Sequence, residues 1–250
     1  MEAAASPNMT GYEDLKSASA LVPPDPSAEL LEIHGPDAEK FLQAMTTQQV
    51  QGFPPGEGRE ALVLDREGRI LAGFAVFARK RGYLIRVEEG RAGVLKAHLD
   101  KFKIAAKVDI MTPHPGLEGI FAGGPESAAK GILPGLWPSE DLRLAEIPGG
   151  GLLLRWDRFG FPLWEIWLPP ERLGTLDPGR FGLRASQEAV LAHRIENRRP
   201  FFHVEEKGLI PNDLPQIEEL VSFSKGCFPG QEVVIRIRHR GQPGRRLALL

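Results

Sequence analysis

Hydrophobic and polar positions along the first half of the chain fall into two spacings. Leu30–Ile33 is a short apolar run of strand length, and Gly35-Pro36-Asp37 follows it. Proline suits a first helical turn, and an aspartate there is favoured by the helix dipole. Ala38, Phe41, Leu42 and Met45 then fall at i, i+3, i+4 and i+7, one apolar helical face, which predicts a helix of about ten residues. Three strand-like segments come next: Ala61–Asp65, Ile70–Ala78 and Tyr83–Val87. Gly68 and Gly82 sit between them, where hairpins commonly need a positive φ. A second helix is predicted over about 91–102, with Val94, Leu95, Leu99 and Phe102 on one side, and Ala105–Ile110 reads as a further strand.

Strand, helix, three-strand meander, helix and strand in that order predict an antiparallel sheet backed by helices, an α+β fold. Beyond Pro113 the chain becomes rich in glycine and proline, so short strands between long turns are expected. Leu152–Trp156 and Leu163–Trp167 make a hairpin around Phe159-Gly160. Trp164 and Trp167 have opposite parity there, so they cannot share a sheet face. A third helix covers about Ser186–Glu196 and ends before Pro200. The expected organisation is a flexible extension over 1–27, one α+β subdomain over 28–112, a second over 113–224, and a glycine-rich loop with a basic strand over 225–250.

Composition changes this picture little. The chain has 250 residues, 42% hydrophobic and 26% charged, the values of an ordinary globular protein. Its formal net charge of −2 gives no global reason to expect nucleic acid or an acidic membrane. Locally the balance differs, because residues 225–250 carry six basic and one acidic side chain. One cysteine, Cys227, excludes an internal disulfide and any zinc site built from several thiolates. No apolar run approaches the roughly 20 residues of a membrane span. The first residues resemble no secretory signal, so a soluble cytoplasmic protein is expected.

Nucleotide-binding glycine motifs are lacking, and the histidines at 34, 98, 114, 193, 203 and 239 have no metal-ligand spacing. Chemistry concentrates in Ser224-Lys225-Gly226-Cys227-Phe228-Pro229-Gly230-Gln231-Glu232. Glycines let backbone approach a ligand, and a nearby cation favours a thiolate. Cys227 is then either an inert, partly buried thiol or a functional one. Val233–Arg240 alternates, with Arg236, Arg238 and Arg240 on one side of the expected strand. That side is a charged edge that blocks strand pairing, or an anion platform extended by Arg245 and Arg246. Arg194, Arg198 and Arg199 form a second basic cluster at the end of the third helix, where the dipole favours cations.

Lys225-Gly226-Cys227-Phe228-x-Gly230-Gln231-Glu232 closely resembles the signature of the YgfZ family, folate-binding relatives of the glycine-cleavage T-protein (aminomethyltransferase) associated with tRNA modification and iron–sulfur protein assembly. LLEIHGPDAEKFLQAMTTQQV, LDREGRILAGFAVF, LKAHLDKFKIAAKVDI and RIENRRP resemble further family segments in the same order. The resemblance implies intertwined α+β subdomains around a folate pocket. It also implies a short form, because the family's C-terminal β-barrel does not fit in the 18 residues after Glu232. On matched positions Lys225, Gly226, Gly230, Gln231, Glu232 and Arg236 would bind tetrahydrofolate or a derivative, with Cys227 the reactive candidate. Arg194 and Glu196 match a pair near the pterin; for Glu196 a helix-terminal ion pair with Arg198 or Arg199 is the alternative. The T-protein's aspartate pair has no counterpart in Ile70-Leu71-Ala72-Gly73-Phe74, and Ala28 and Val190 stand where some members carry tryptophans.

These readings lead to a folate-binding protein supporting maturation or repair of iron–sulfur enzymes, including those that modify tRNA, with iron–sulfur enzymes or assembly proteins as partners. Two alternatives stay open. One is a tetrahydrofolate-dependent one-carbon transferase; the other is a module without folate whose 236–246 arginines contact RNA or protein.

Overall fold

A computed structural model describes residues 8–17, 20–23, 28–88, 90–111, 116–124, 137–176, 183–199 and 208–241. In chain order the elements begin with α1 (Asp14–Ser17), β1 (Ala20–Val22), β2 (Ala28–His34), α2 (Ala38–Met45), β3 (Gly58–Leu64) and β4 (Ile70–Ala78). They continue with β5 (Tyr83–Glu88), α3 (Ala92–Asp100), β6 (Asp109–Met111), β7 (Glu118–Gly123), β8 (Arg143–Glu146), β9 (Leu152–Arg155) and β10 (Leu163–Leu168). The last are α4 (Pro170–Leu173), β11 (Leu183–Arg184), α5 (Gln187–Glu196), a 3-10 turn at Pro211–Asp213, α6 (Ile217–Leu220) and α7 (Gln231–Arg240).

The chain forms two compact units, each discontinuous in sequence. One joins residues 1–26 to 116–199; the other joins 27–115 to 200–250. Each has its own sheet, and the fold is α+β. Among the described residues neither sheet closes into a barrel.

In the unit of residues 27–115 and 200–250 the strand order is β3-β4-β5-β2-β6, antiparallel throughout. Both faces are covered, which is why these strands read as nearly continuous apolar runs. Alternate residues of β3 show the split. Ala61 and Val63 join Phe41, Leu42 and Met45 of α2 and Leu95 and Leu99 of α3 in one core. Leu62 and Leu64 join Leu214, Leu220, Val221, Phe228 and Val234 in a second core on the other face. Burying one such leucine or phenylalanine contributes roughly 1.5–3 kcal/mol. The expected one-sided face of the second helix divides: Leu95 and Leu99 are buried, whereas Val94 and Phe102 are exposed. The strand expected over Ala105–Ile110 is reduced to β6.

The other unit has strand order β11-β1-β7-β10-β9-β8. Only β1 and β11 run parallel among these pairs. The hairpin around Gly160 forms as expected, and Trp164 and Trp167 are buried on opposite faces of its second strand. Trp164 meets Trp137 edge-on with ring centroids 5.8 Å apart, and Trp167 meets Phe121 in the same way.

Two expectations are corrected. Within the segment read as a flexible extension, the described residues take part in the fold: Ala20–Val22 pairs with both β7 and β11, and Leu15 is fully buried. Three strand residues are too few to reveal their partners from local pattern alone. The basic strand is the helix α7. Its isoleucines and arginines alternate, but Val233, Val234 and Ile237 also fall at i, i+1 and i+4, and Val234 is fully buried in the second core. A helix satisfies its backbone internally, and burial of that side overrides the β preference of valine and isoleucine. Arg245 and Arg246 lie outside the described residues.

Candidate functional site

Lys225 is buried, and its ammonium donates to the carbonyls of Gln43, Thr46 and Gln48 at distances between 2.5 and 3.0 Å. An ammonium has three protons, and all three are matched. Its acceptors lie at the C-terminal end of α2, where carbonyls lack helical partners and the dipole favours a cation. The ring of Phe228 lies 5.5 Å from the same nitrogen. Burial lowers the Lys225 pKa to about 8, so the group is still protonated at neutral pH. The signature lysine is thus a clamp between the loop and α2.

Gly230 anchors the other end of the loop. It has φ +78°, and a Cβ there would lie 2.6 Å from the Asp65 carbonyl oxygen and 2.9 Å from Gly68 Cα. Gly68, in the β3–β4 turn, has φ +79°, and its own Cβ would meet Val233 at 3.0 Å. The two turns therefore fit together backbone to backbone, which only glycine allows. Thr47 adds a third tie. Its hydroxyl donates to the Leu220 carbonyl at 2.6 Å and accepts from the Leu62 amide at 2.8 Å. Between these anchors Cys227 is exposed. A Cβ on Gly226 would meet nothing within 4 Å, so packing does not demand glycine there.

Gln231, Glu232, Ile235, Arg236 and His239 line an open cleft of about 520 Å³. Their spacing of i, i+1, i+4, i+5 and i+8 is one face of α7, opposite the buried Val234. The structure therefore brings three expected site residues, Gln231, Glu232 and Arg236, to one cleft and adds Ile235 and His239. Arg238 lies two residues and about 200° from Arg236 around the helix. It pairs with Glu218 at 2.7 Å and covers the ring of Phe223 at 3.6 Å. Arg236 and Arg238 therefore do not share one face of α7.

Arg194 and Glu196 belong to the other unit. Arg194 is 1% exposed; its Nε donates to the Arg199 carbonyl at 3.0 Å, and its guanidinium lies 5.6 Å from the Phe159 ring. Glu196, at the end of α5, is exposed and accepts the hydroxyl of Tyr12. The Tyr12 ring stacks on His193 with centroids 4.3 Å apart and planes 13° from parallel. Lys16 donates to the Tyr12 hydroxyl at 3.3 Å. The bond to Glu196 holds the Tyr12 pKa above the ordinary tyrosine value, and Lys16 opposes that rise. Neither Tyr12 nor His193 stood out in sequence, since nothing local links positions 181 residues apart. Among the described residues no group of three or more histidine, cysteine or carboxylate side chains is placed to hold a metal, and no helix is long and apolar enough to cross a membrane.

The fold is that of the aminomethyltransferases. The T-protein of the glycine cleavage system from Bartonella henselae superposes with a TM-score of 0.79, covering 94% of this chain and 67% of that one at 19% identity. In sequence the chain is similar to YgfZ proteins, the family that the signature resembles, and to IBA57 proteins. The mitochondrial iron–sulfur cluster assembly factor IBA57 homolog of Pyricularia oryzae is 26% identical over 88% of this chain and 54% of its own length. The tRNA-modifying protein YgfZ of Vibrio atlanticus is 23% identical over 86% of this chain and 65% of its own. The chain thus spans between about half and two thirds of these relatives. No family model matches it.

Proposed function

We propose that this chain is a folate-binding accessory protein of the YgfZ type, acting in the cytoplasm to support maturation or repair of iron–sulfur enzymes, including those that modify tRNA. The observation that carries the reading is the way the signature loop is built: Lys225 and Gly230 are fixed to α2 and to the β3–β4 turn, while Cys227 between them is exposed. A thiol displayed on a rigid loop suits contact with a client protein or its cluster ligands. The names of the relatives support the same role.

A reduced folate supplies a carrier nitrogen for a one-carbon group. The α7 cleft has the size range of small-molecule sites. Within it, Arg236 is suited to the tail carboxylates of a folate, and Gln231 and Glu232 to polar groups beside them. Arg194, in the other unit, is buried and ties the Arg199 carbonyl to the end of α5. The segment Ile70–Phe74 of β4 carries no carboxylate, and Ile70, Ala72 and Phe74 are core residues. A positioned proton carrier is worth roughly 10²–10⁴ in rate, so this favours an accessory role over aminomethyl transfer.

Cys227→Ser is expected to fold normally yet fail to restore iron–sulfur enzyme activity in cells lacking the protein. Calorimetric titration of the full chain with 5-formyltetrahydrofolate tests the ligand, with saturable binding expected. Full complementation by Cys227→Ser would remove the thiol from the mechanism, and absence of binding at millimolar folate would remove the cofactor.

A further inference from the structure

The turn after α3 displays apolar side chains on a main chain that is firmly held. Val94, His98 and Phe102 fall at i, i+4 and i+8 along one flank of α3 and of the turn that continues it, where the Phe102 amide donates to the Leu99 carbonyl at 3.0 Å. Val94 and Phe102 are exposed, and Ile104 is 93% exposed. The His98 ring meets that of Phe102 with centroids 5.1 Å apart. Burial pushes the His98 pKa down, so a neutral imidazole lies between Val94 and Phe102. Ile104 stands in a closed turn, in which the Ala106 amide donates to the Lys103 carbonyl at 3.2 Å. The Lys107 amide donates to the Asp37 carboxylate at 2.8 Å, and a Cβ on Gly35 would lie 2.1 Å from the Lys107 carbonyl oxygen. The main chain on both sides of Ile104 is therefore pinned with that side chain turned outward.

The charge around this knob is basic. Residues 94–109 hold four lysines against two aspartates. Lys96 and Lys103 both pair with Asp100, and Lys101 and Lys107 are exposed. A second copy of the chain, with this face on a two-fold axis, would set the lysines against one another. A bilayer would gain one isoleucine and part of one phenylalanine, less than the single myristoyl chain that anchors only marginally. A protein with an apolar depression rimmed by carboxylates fits both the knob and its charge, because a few rigid apolar anchors carry most of a protein contact and complementary charge directs it. The same flank reaches the signature loop. His98 feels the charge of Asp65, and the Asp65 carbonyl is the group against which Gly230 seats.

We propose that Val94, Phe102 and Ile104, with Lys101 and Lys107, form a docking face for an acidic client protein, holding it beside the β3–β4 turn while the neighbouring loop presents Cys227. That the docked protein is an iron–sulfur enzyme rests on the function proposed above; the face itself rests on the pinned turn and its charge.

Complementation of iron–sulfur enzyme activity in cells lacking the protein tests it, with urea unfolding of each purified variant to establish that the fold is kept. Ile104→Ser and Lys101→Glu/Lys107→Glu are each expected to lower the activity about tenfold, whereas Ile104→Leu and Lys101→Arg/Lys107→Arg should keep it. Benzoylphenylalanine at position 104, photolysed in the same cells, should cross-link to an acidic iron–sulfur protein, with about tenfold lower yield in the Lys101→Glu/Lys107→Glu background. Full complementation by Ile104→Ser and by the double glutamate variant, alongside failure of Cys227→Ser, overturns the face and leaves the proposed function standing. Failure of the first two with full complementation by Cys227→Ser keeps the face and removes the thiol. Full complementation by all three overturns both. Cross-linking to a basic protein, to a second copy of the chain, to lipid or to nothing overturns the face as a site for an acidic client.

Discussion

Lys225 donates to three main-chain carbonyls, of which that of Gln48 also accepts the Thr46 hydroxyl at 3.2 Å, so Lys225→Met would leave the carbonyls of Gln43 and Thr46 unmatched. Unmatched buried groups cost about 1–3 kcal/mol each, partly offset by no longer burying a charge. The expected net loss is about 2–3 kcal/mol at pH 7, read from the midpoint of denaturant unfolding. The pH dependence has a definite sign. The folded pKa is about 8 against 10.5 for the free side chain, so between these values the unfolded chain holds a proton that the folded chain has released. Stability therefore rises through pH 8–10.5 on account of this group. The advantage of wild type over Lys225→Met should widen from pH 7.5 to pH 10; a gap that stays constant or narrows would contradict it. The two signature glycines separate packing from function. Gly230→Ala forces a side chain into positive φ and against Asp65, and should cost about 2–4 kcal/mol. Gly226→Ala meets nothing and should stay within about 0.5 kcal/mol of wild type. Any loss of cellular activity by Gly226→Ala would then report a ligand or client contact. Sequence made the motif visible but not this division of labour. The acceptors of Lys225 lie up to 182 positions away, and only the fold brings them together.

At the scale of elements, helices with clear apolar faces were legible. Phe41, Leu42 and Met45 are buried on α2 as their spacing predicts, and Ser186 caps α5, accepting from the Ala189 amide at 3.1 Å. Strands flanked by glycine turns were legible too, since Gly68 and Gly82 both adopt positive φ. The helix α7 was not, because Ile235-Arg236-Ile237-Arg238 satisfies a period of two while Val233, Val234 and Ile237 satisfy the helical one. Burial decided between them, and local pattern carries no information on which side finds a partner. The two sides of α7 should respond differently to substitution. Val234→Ala removes fully buried methyl groups and should cost about 2 kcal/mol. Arg236→Ala and His239→Ala face the cleft and should change stability by less than about 0.5 kcal/mol. Urea unfolding of the three variants checks this, and equal losses on both sides would mean the helix is packed otherwise.

The two units alternate along the sequence, and each needs segments distant from one another. The alternating strands of the meander announced an α+β fold, but nothing in residues 28–112 says that the face bearing Leu62 and Leu64 is covered by residues beyond 208. A fragment of residues 27–115 should therefore expose that face and aggregate. The same segment joined through a short glycine-serine linker to residues 200–250 should unfold cooperatively and bind no more hydrophobic dye than the full chain. A soluble, cooperatively folded 27–115 fragment would show that the second core is dispensable.

Order of synthesis gives the Lys225 clamp a further meaning. Gln43 leaves the ribosome 182 residues before Lys225, which at roughly 5–20 residues per second is a wait of about ten to forty seconds. Until then the end of α2 keeps open carbonyls and the meander keeps a bare apolar face, both of which invite chaperones. Cys227 takes its fixed position only when Lys225 reaches α2 and Gly230 seats against Gly68. The presented thiol is thus a mark of a finished molecule, and a client that reads that loop would meet only chains that have completed their fold.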